Sequence, residues 1–214
     1  MPRSNAPNAV VFWPVVVVIV IADIVTKMIA LNTLPPFTPQ PVLGEGLRLT
    51  LVRNQGAAFG LYLGEYSRYI FMVLTVGALV ILWRLYQSTR EGDLPRTLAI
   101  ALVCAGAVGN LIDRIRWHEG VVDFIDVGFR DMRWPTFNVA DMAVSTGAFL
   151  LAWVLWGDDR AERARADGGA VAAGGSNAGA GRNSRPSRWR ARRSRQKNHG
   201  RGWRWASRNT ARAT

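Results

Sequence analysis

The chain has 214 residues, 49% of them hydrophobic, with a formal net charge of +12 and a sequence pI near 11.3. Such a pI ordinarily points to nucleic acid, but residues 157–214 carry 15 basic and 4 acidic residues, whereas residues 1–156 carry 12 and 11. A nearly neutral apolar body with a basic tail excludes a uniformly basic nucleic-acid-binding domain; one cysteine, Cys104, and two histidines, His118 and His199, exclude an intrachain disulfide and ordinary Cys/His zinc chemistry.

Four stretches are long and apolar enough to cross a bilayer, which takes ~20 helical residues. They lie at about residues 10–31, 69–86, 94–112 and 140–156. The first begins like a secretory leader, with Arg3 ahead of an uncharged core. No clean small-x-small cleavage site follows, and the helical pattern continues through Asp23 and Lys27, spaced i,i+4 on one face. An ion pair on an interior face explains those two charges better than a leader does, so the stretch is read as a retained helix.

Residues 32–67 form the first substantial loop. Leu34 to Pro41 holds four prolines and is incompatible with a helix interior or a central strand. Leu47 to Arg53 alternates like a half-exposed strand, and a small, flexible Asn54-Gln55-Gly56-Ala57-Ala58-Phe59-Gly60 follows. A strand leading into such a bend suits backbone capture of an extended peptide, and equally suits an ordinary interfacial hairpin. A short loop at 87–93 joins the second and third stretches, and residues 113–139 form a longer one before the fourth.

Four spans with these links put both termini on one side. Without the tail, Arg3, Arg84, Arg90 and Arg96 flank that side, and Arg48, Arg53, Arg68, Arg114, Arg116, Arg130 and Arg133 flank the other. That balance places the termini outside, and the tail's arginines reverse it, so charge leaves the orientation open. Within the tail, the Gly/Ala-rich stretch 168–181 reads as flexible linker. Residues 182–214, Arg-rich with Trp189, Trp203 and Trp205, have too few aliphatic residues for a core and are expected to be disordered. The chemistry of this tail suits anionic lipid headgroups or RNA.

The polar residues gather at one end of the expected bundle. Asp23, Thr26 and Lys27 lie toward the far end of helix one, Asn110, Asp113 and Arg114 toward that of helix three, and Asn138 and Asp141 at the start of helix four, with Asp123 on the loop between. Asp113 is adjacent to Arg114 and is read as its partner or that of Arg116. Asp123 and Asp141 are read as a working pair: two carboxylates can share one proton, one accepting a proton from water while the other polarises a scissile carbonyl. That is the chemistry of peptide hydrolysis.

Five motifs then occur in order: Asp23-Ile24-Val25-Thr26-Lys27, Asn54 to Gly60, Gly109-Asn110-Leu111-Ile112-Asp113-Arg114, Val121-Val122-Asp123-Phe124 and Phe137-Asn138-Val139-Ala140-Asp141. Together they closely resemble bacterial lipoprotein signal peptidase (signal peptidase II) over about residues 10–156. The resemblance implies an integral membrane protein with a four-transmembrane-helix bundle in residues 1–156 and a small extracytoplasmic β-cradle around Arg48 to Gly60. Residues 157–214 form a linker and tail outside the resemblance. It also implies an aspartic endopeptidase of the bacterial inner membrane, with cytoplasmic termini and an active site near the periplasmic face. Its expected substrates are prolipoproteins, cut on the N-terminal side of a diacylglyceryl-modified cysteine, and it calls for no metal or organic cofactor. Asp123 and Asp141 fall on the catalytic dyad; Asn54, Asn110, Asp113, Arg114 and Asn138 fall on positions that hold substrate or support the dyad; Asp23 and Lys27 are structural. Two other readings remain: a proton-coupled transporter relaying through intramembrane carboxylates, and a membrane-anchored protein whose business is RNA or lipid binding by the tail.

Overall fold

A computed structural model of the chain describes residues 6–56, 64–129 and 132–178. The Arg/Trp-rich stretch 182–214, and Ala57 to Gly60 of the second motif, lie outside the described residues. Four long helices dominate: α1 (Ala6–Thr33), α2 (Ser67–Ser88), α3 (Leu94–Arg116) and α4 (Val139–Ala178). Each contains a membrane-length apolar segment, that of α4 running to Ala164. The chain divides into two units, Met1–Asp167 and Gly168–Thr214, and the packing below is that of the first.

The apolar faces meet in a core of Phe12, Tyr86, Ile100, Ala101 and Cys104, with Val16, Leu82 and Leu151 against it, so all four helices contribute. Most other large apolar side chains on α1, α2 and α4 point outward, among them Val18, Val73, Ile81 and Phe149. An apolar exterior around a small interior is what a lipid environment selects. Helix α3 is the buried centre. Its Gly109 has room for no side chain, since a Cβ there would sit 2.6 Å from Asp23 Oδ2, so the missing methyl is what lets α1 approach α3.

One end of the bundle is closed by Asn8, whose side chain donates to Arg90 O (2.9 Å) and accepts from Gly92 N (3.0 Å). Asp93 caps α3 by accepting from Arg96 N (3.2 Å), and Arg96 pairs with Asp158 of α4. The start of α1, the 89–93 turn and the far part of α4 therefore share an end. Helix α4 does not stop at 156. It continues to Ala178, into the stretch whose composition suggests a linker, with Arg163 and Asp159 paired at i,i+4 (2.7 Å) and alanine, the strongest helix former, recurring beyond.

The other end carries an antiparallel sheet in the order β1 (Gln40–Leu43), β2 (Leu47–Asn54), β3 (Val121–Phe129) and β4 (Met132–Arg133). β2 is the strand expected from alternation, and the proline-bearing β1 is an edge, as proline requires. β3 was expected to be loop. Its run of Val121-Val122-Asp123-Phe124-Ile125 is β-branched and aromatic, and it pairs with β2 in a register setting Val52 opposite Asp123 and Asn54 opposite Val121. Residues 134–137 then fold back along β3: Ile125 N donates to Phe137 O (2.8 Å) and Phe137 N to Ile125 O (3.0 Å). This return delivers the first turn of α4 to the middle of β3.

Candidate active site

The register explains why Asn54 reaches Asp123. Residues facing each other across antiparallel strands share a face, and Asn54 lies two positions beyond Val52, a diagonal neighbour within side-chain reach. Its Nδ2 donates to Asp123 Oδ2 at 2.9 Å, while its Oδ1 accepts from Gly56 N at 3.0 Å. Gly120, just before β3, has φ +98°, and a Cβ there would meet Asn54 O at 2.2 Å, so a glycine is required for β3 to close on the end of β2.

Asp141 is placed by helix-start geometry. Asn138 Oδ1 accepts from Asp141 N (2.9 Å), and Asp141 Oδ2 accepts from Asn138 N (3.2 Å), a reciprocal capping box at the start of α4. The same Asn138 turns its side-chain amide donor to Asp123 Oδ1 at 2.7 Å, so one residue bonds both carboxylates, Asp141 through its backbone N–H and Asp123 through its side chain. Asn110, from α3, donates to Asp141 Oδ1 at 2.7 Å and accepts from Asn138 Nδ2 at 3.1 Å. Among the described residues, no cation is hydrogen-bonded to either acid.

Electrostatics separates the two. Asp123 is almost fully buried; burial first, then the charge of Asp141, pushes its carboxyl up to about 7, against the pull of the Asn54 and Asn138 amides and the Lys27 charge. Asp141 sits in the first turn of α4, where the helix dipole favours an anion. Asp123 is thus suited to hold a proton near neutral pH.

Both acids line one cavity of about 520 Å³, with Asn54, Asn110 and Arg114 beside them and Phe137, Met142 and Val144 making it predominantly apolar. A second cavity of about 360 Å³, bordered by Arg53 to Gly56, shares Asn54, Asp123, Pro135 and Thr136 with the first. Chain 134–137 and the Ser145-Thr146 pair on α4 therefore join the site. Of the 134–137 stretch only Phe137, which opens the fifth motif, carried a signal in the sequence; Ser145 and Thr146 were visible as polar neighbours in an apolar helix.

Asp113 is not the partner of Arg114 or Arg116. Consecutive helix positions point about 100° apart, and Asp113 instead meets Lys27 Nζ (2.9 Å) and Val122 N (3.0 Å). Lys27 also pairs with Asp23 (2.7 Å), as the i,i+4 spacing predicts, and donates to Asn110 Oδ1 (3.2 Å). Asp23 Oδ1 in turn accepts from Ala140 N (2.9 Å). These buried groups, one lysine shared by two carboxylates, form a support beside the two acids and tie α1, α3 and the start of α4 together. That is the place of α1 in the fold. Arg114 extends over the site, donating to Gly56 O (2.9 Å) and to Asn110 O (3.2 Å), and so fixes the bend after β2. Arg68, expected only as a flanking charge, bonds Arg114 O (2.6 Å) and Ile115 O (3.2 Å), two carbonyls at the end of α3.

Residues 15–157 match the family model described as "Signal peptidase (SPase) II". The chain is 36% identical over 155 residues to a lipoprotein signal peptidase of Geobacter metallireducens, covering 72% of this chain and 95% of that one. It is 40% identical over 141 residues to the lipoprotein signal peptidase of Syntrophotalea carbinolica, covering 65% and 87%. A solved structure described as a bacterial membrane enzyme determined by the in meso method at 2.3 Å superposes with a TM-score of 0.62 at 35% identity, covering 68% of this chain and 87% of that one. With sequence match and fold in agreement, the chain belongs to the signal peptidase II family of lipoprotein signal peptidases.

Proposed function

We propose that this chain is a membrane aspartic endopeptidase that removes signal peptides from prolipoproteins, with Asp123 and Asp141 activating water. The family supplies the reaction class, and the site has what the reaction needs: two carboxylates in one cavity, bonded to amides and to no cation. Asp141, the anion, takes a proton as water attacks the scissile carbonyl carbon. Asp123, protonated, hydrogen-bonds the carbonyl oxygen and passes its proton there as the tetrahedral adduct forms. When the adduct collapses, the C–N bond breaks, the leaving nitrogen takes the proton held by Asp141, and the new acid's oxygen returns its proton to Asp123. Asn54, Asn110 and Asn138 hold the two carboxyl groups in register, and Arg114 holds the bend beside them.

The scissile bond lies on the N-terminal side of a diacylglyceryl-modified cysteine. The apolar cavity between β3 and α4 opens beside the outward-facing apolar surface of α4, a route for a lipidated residue that never leaves the membrane. The sheet is the cradle over the substrate, and the site faces the periplasm with the termini in the cytoplasm of the bacterial inner membrane. Buried carboxylates of a transporter would need to be free to change partners, whereas Asp23 and Asp113 are both held by Lys27.

The test is a gel-shift cleavage assay in detergent with one diacylglyceryl-modified prolipoprotein, wild type beside Asp123→Asn and Asp141→Asn. Cleavage by wild type alone is expected. Turnover by either folded variant removes that residue from the mechanism; no cleavage by folded wild type removes the reaction.

A further inference from the structure

Arg68 occupies the first turn of α2, where the helix dipole opposes a cation and no acidic residue shares the turn. Its partners lie on the neighbouring helix. The short turn at 89–93 sets α2 and α3 antiparallel, so the start of α2 lies beside the end of α3. The carbonyls of a last helical turn have no successors in the helix to bond them. Arg68 Nε donates to Arg114 O (2.6 Å) and Nη2 to Ile115 O (3.2 Å), which puts the cation where the dipole of α3 favours one. The third nitrogen, Nη1, lies 2.8 Å from His118 Nδ1. A guanidinium only donates, so that imidazole nitrogen is the acceptor.

These bonds reach the two segments that pack around Asn54. Arg114, whose carbonyl Arg68 holds, donates from Nη2 to Gly56 O (2.9 Å). Gly56 N donates to Asn54 Oδ1 (3.0 Å), and Asn54 Nδ2 to Asp123 Oδ2 (2.9 Å). His118 belongs to the turn that leads through Gly120 into β3, and a Cβ on Gly120 would lie 2.2 Å from Asn54 O. A cavity of about 200 Å³ is bordered by Arg68, by His118 and by Gln55 of the bend itself. One guanidinium on α2 therefore bonds both the end of α3 and the turn before β3, on either side of the residue that holds Asp123.

We propose that Arg68 is a positioning residue for the candidate active site: by tying the end of α3 and the turn before β3 to α2, it fixes Arg114 and, through Gly56, the bend from which Asn54 reaches Asp123. Its bonds are to neither acid. The consequence for turnover rests on the peptidase reading, whereas the consequence for the bend does not.

Two readouts on the full chain in detergent test this. The first is hydrogen–deuterium exchange, which needs no substrate. R68A should exchange roughly tenfold faster than wild type in peptides covering residues 52–56, with residues 40–48 of the same sheet unchanged. R68K, which keeps a cation at the end of α3, should keep most of the protection. Unchanged exchange at 52–56 in R68A overturns the proposal, and so does a uniform rise across the sheet, the mark of a merely loosened fold. The second readout is cleavage of a diacylglyceryl-modified prolipoprotein. R68A should lower kcat/KM by about tenfold, the worth of one hydrogen bond, and R68K by less than about threefold. In an N54A background, R68A should cost less than about twofold more, because the group it positions is already gone. Loss of folded enzyme would instead multiply through both backgrounds, so a full tenfold fall in N54A also overturns the proposal. Faster exchange at 52–56 in R68A, beside no cleavage by folded wild type, would support the positioning of the bend and refute the peptidase reading.

Discussion

Asp123 and Asp126 are three residues apart on one strand, and both are buried, yet the fold treats them oppositely. Asp126 also pays a burial cost, but Arg133 (2.8 Å), Arg48 (2.9 Å) and Thr50 (3.0 Å) all donate to it, and together they hold its carboxyl below the usual range. Asp123 receives only amides, and burial with a neighbouring acid pushes it up to about 7. Burial alone therefore does not decide the shift of a carboxyl on this strand; whether cations are bonded to it does. Asp23 and Asp113 are likewise bonded to a cation, since both pair with Lys27.

The sharpest way to break that comparison is to neutralise each acid in turn. Asp123→Asn should lower cleavage by ~10³-fold or more while leaving the protein folded. Asp126→Asn strands two arginines instead, so it should cost about 1–3 kcal/mol of stability and leave most turnover in detergent. Cleavage rates beside thermal unfolding curves separate the two, and the reverse pattern would sink the distinction.

Lys27→Met extends the test to the support. It leaves Asp23 and Asp113 buried without a cation, a loss of about 3–5 kcal/mol, read as a lowered unfolding temperature in detergent. Unchanged stability would mean that the ion cluster is not what ties α1 to α3.

The pH dependence gives a smaller effect with a definite sign. Asp123 has a raised carboxyl, so its contribution to stability is complete below the ordinary value of 3.8 and is lost as pH rises through about 7. Asp126 has a lowered one, so its contribution is present above 3.8 and is lost only as pH falls below it. Asp123→Asn should accordingly gain on wild type between pH 5 and 8, by on the order of a few kcal/mol at most, whereas Asp126→Asn should stay below wild type throughout. Cleavage should share the alkaline fall, with an apparent value belonging to the pair. Parallel unfolding curves for wild type and Asp123→Asn across that range would contradict the assignment of the proton.

How much of this was legible beforehand follows from the range of each interaction. The four helices were readable because membrane length is a local property, as was the Asp23–Lys27 pair, set by helix spacing alone. Asn54, Asn110, Asn138 and both dyad acids were assigned to the correct end of the bundle. Which amide serves which acid was not readable, because Asn54 meets Asp123 only through pairing of β2 with β3, 69 residues apart. The same long-range pairing hid β3 inside an expected loop, and the packing of α1 on α3 sent Asp113 to Lys27 and not to its neighbour in the chain. Helix α4 outran its apolar stretch because alanine and an Asp159–Arg163 pair favour a helix locally.

The smallest expected effect bounds the comparison. Among the described residues, every group bonded to Asp123 or Asp141 lies between Asn54 and Asp141, and the support reaches back only to Asp23. The family match ends at residue 157, and the last polar tie described between α4 and the rest of the bundle is Arg96 to Asp158. Removing residues 179–214 therefore leaves every described contact to either acid in place, and strips a terminal segment of the kind that tolerates loss. Cleavage by the truncated protein should match wild type to within about twofold in detergent, where no anionic membrane surface is present for the arginines to engage. A large loss there would place a needed group in the tail, and the contrast between quenched and unquenched aspartates would no longer account for where the chemistry resides.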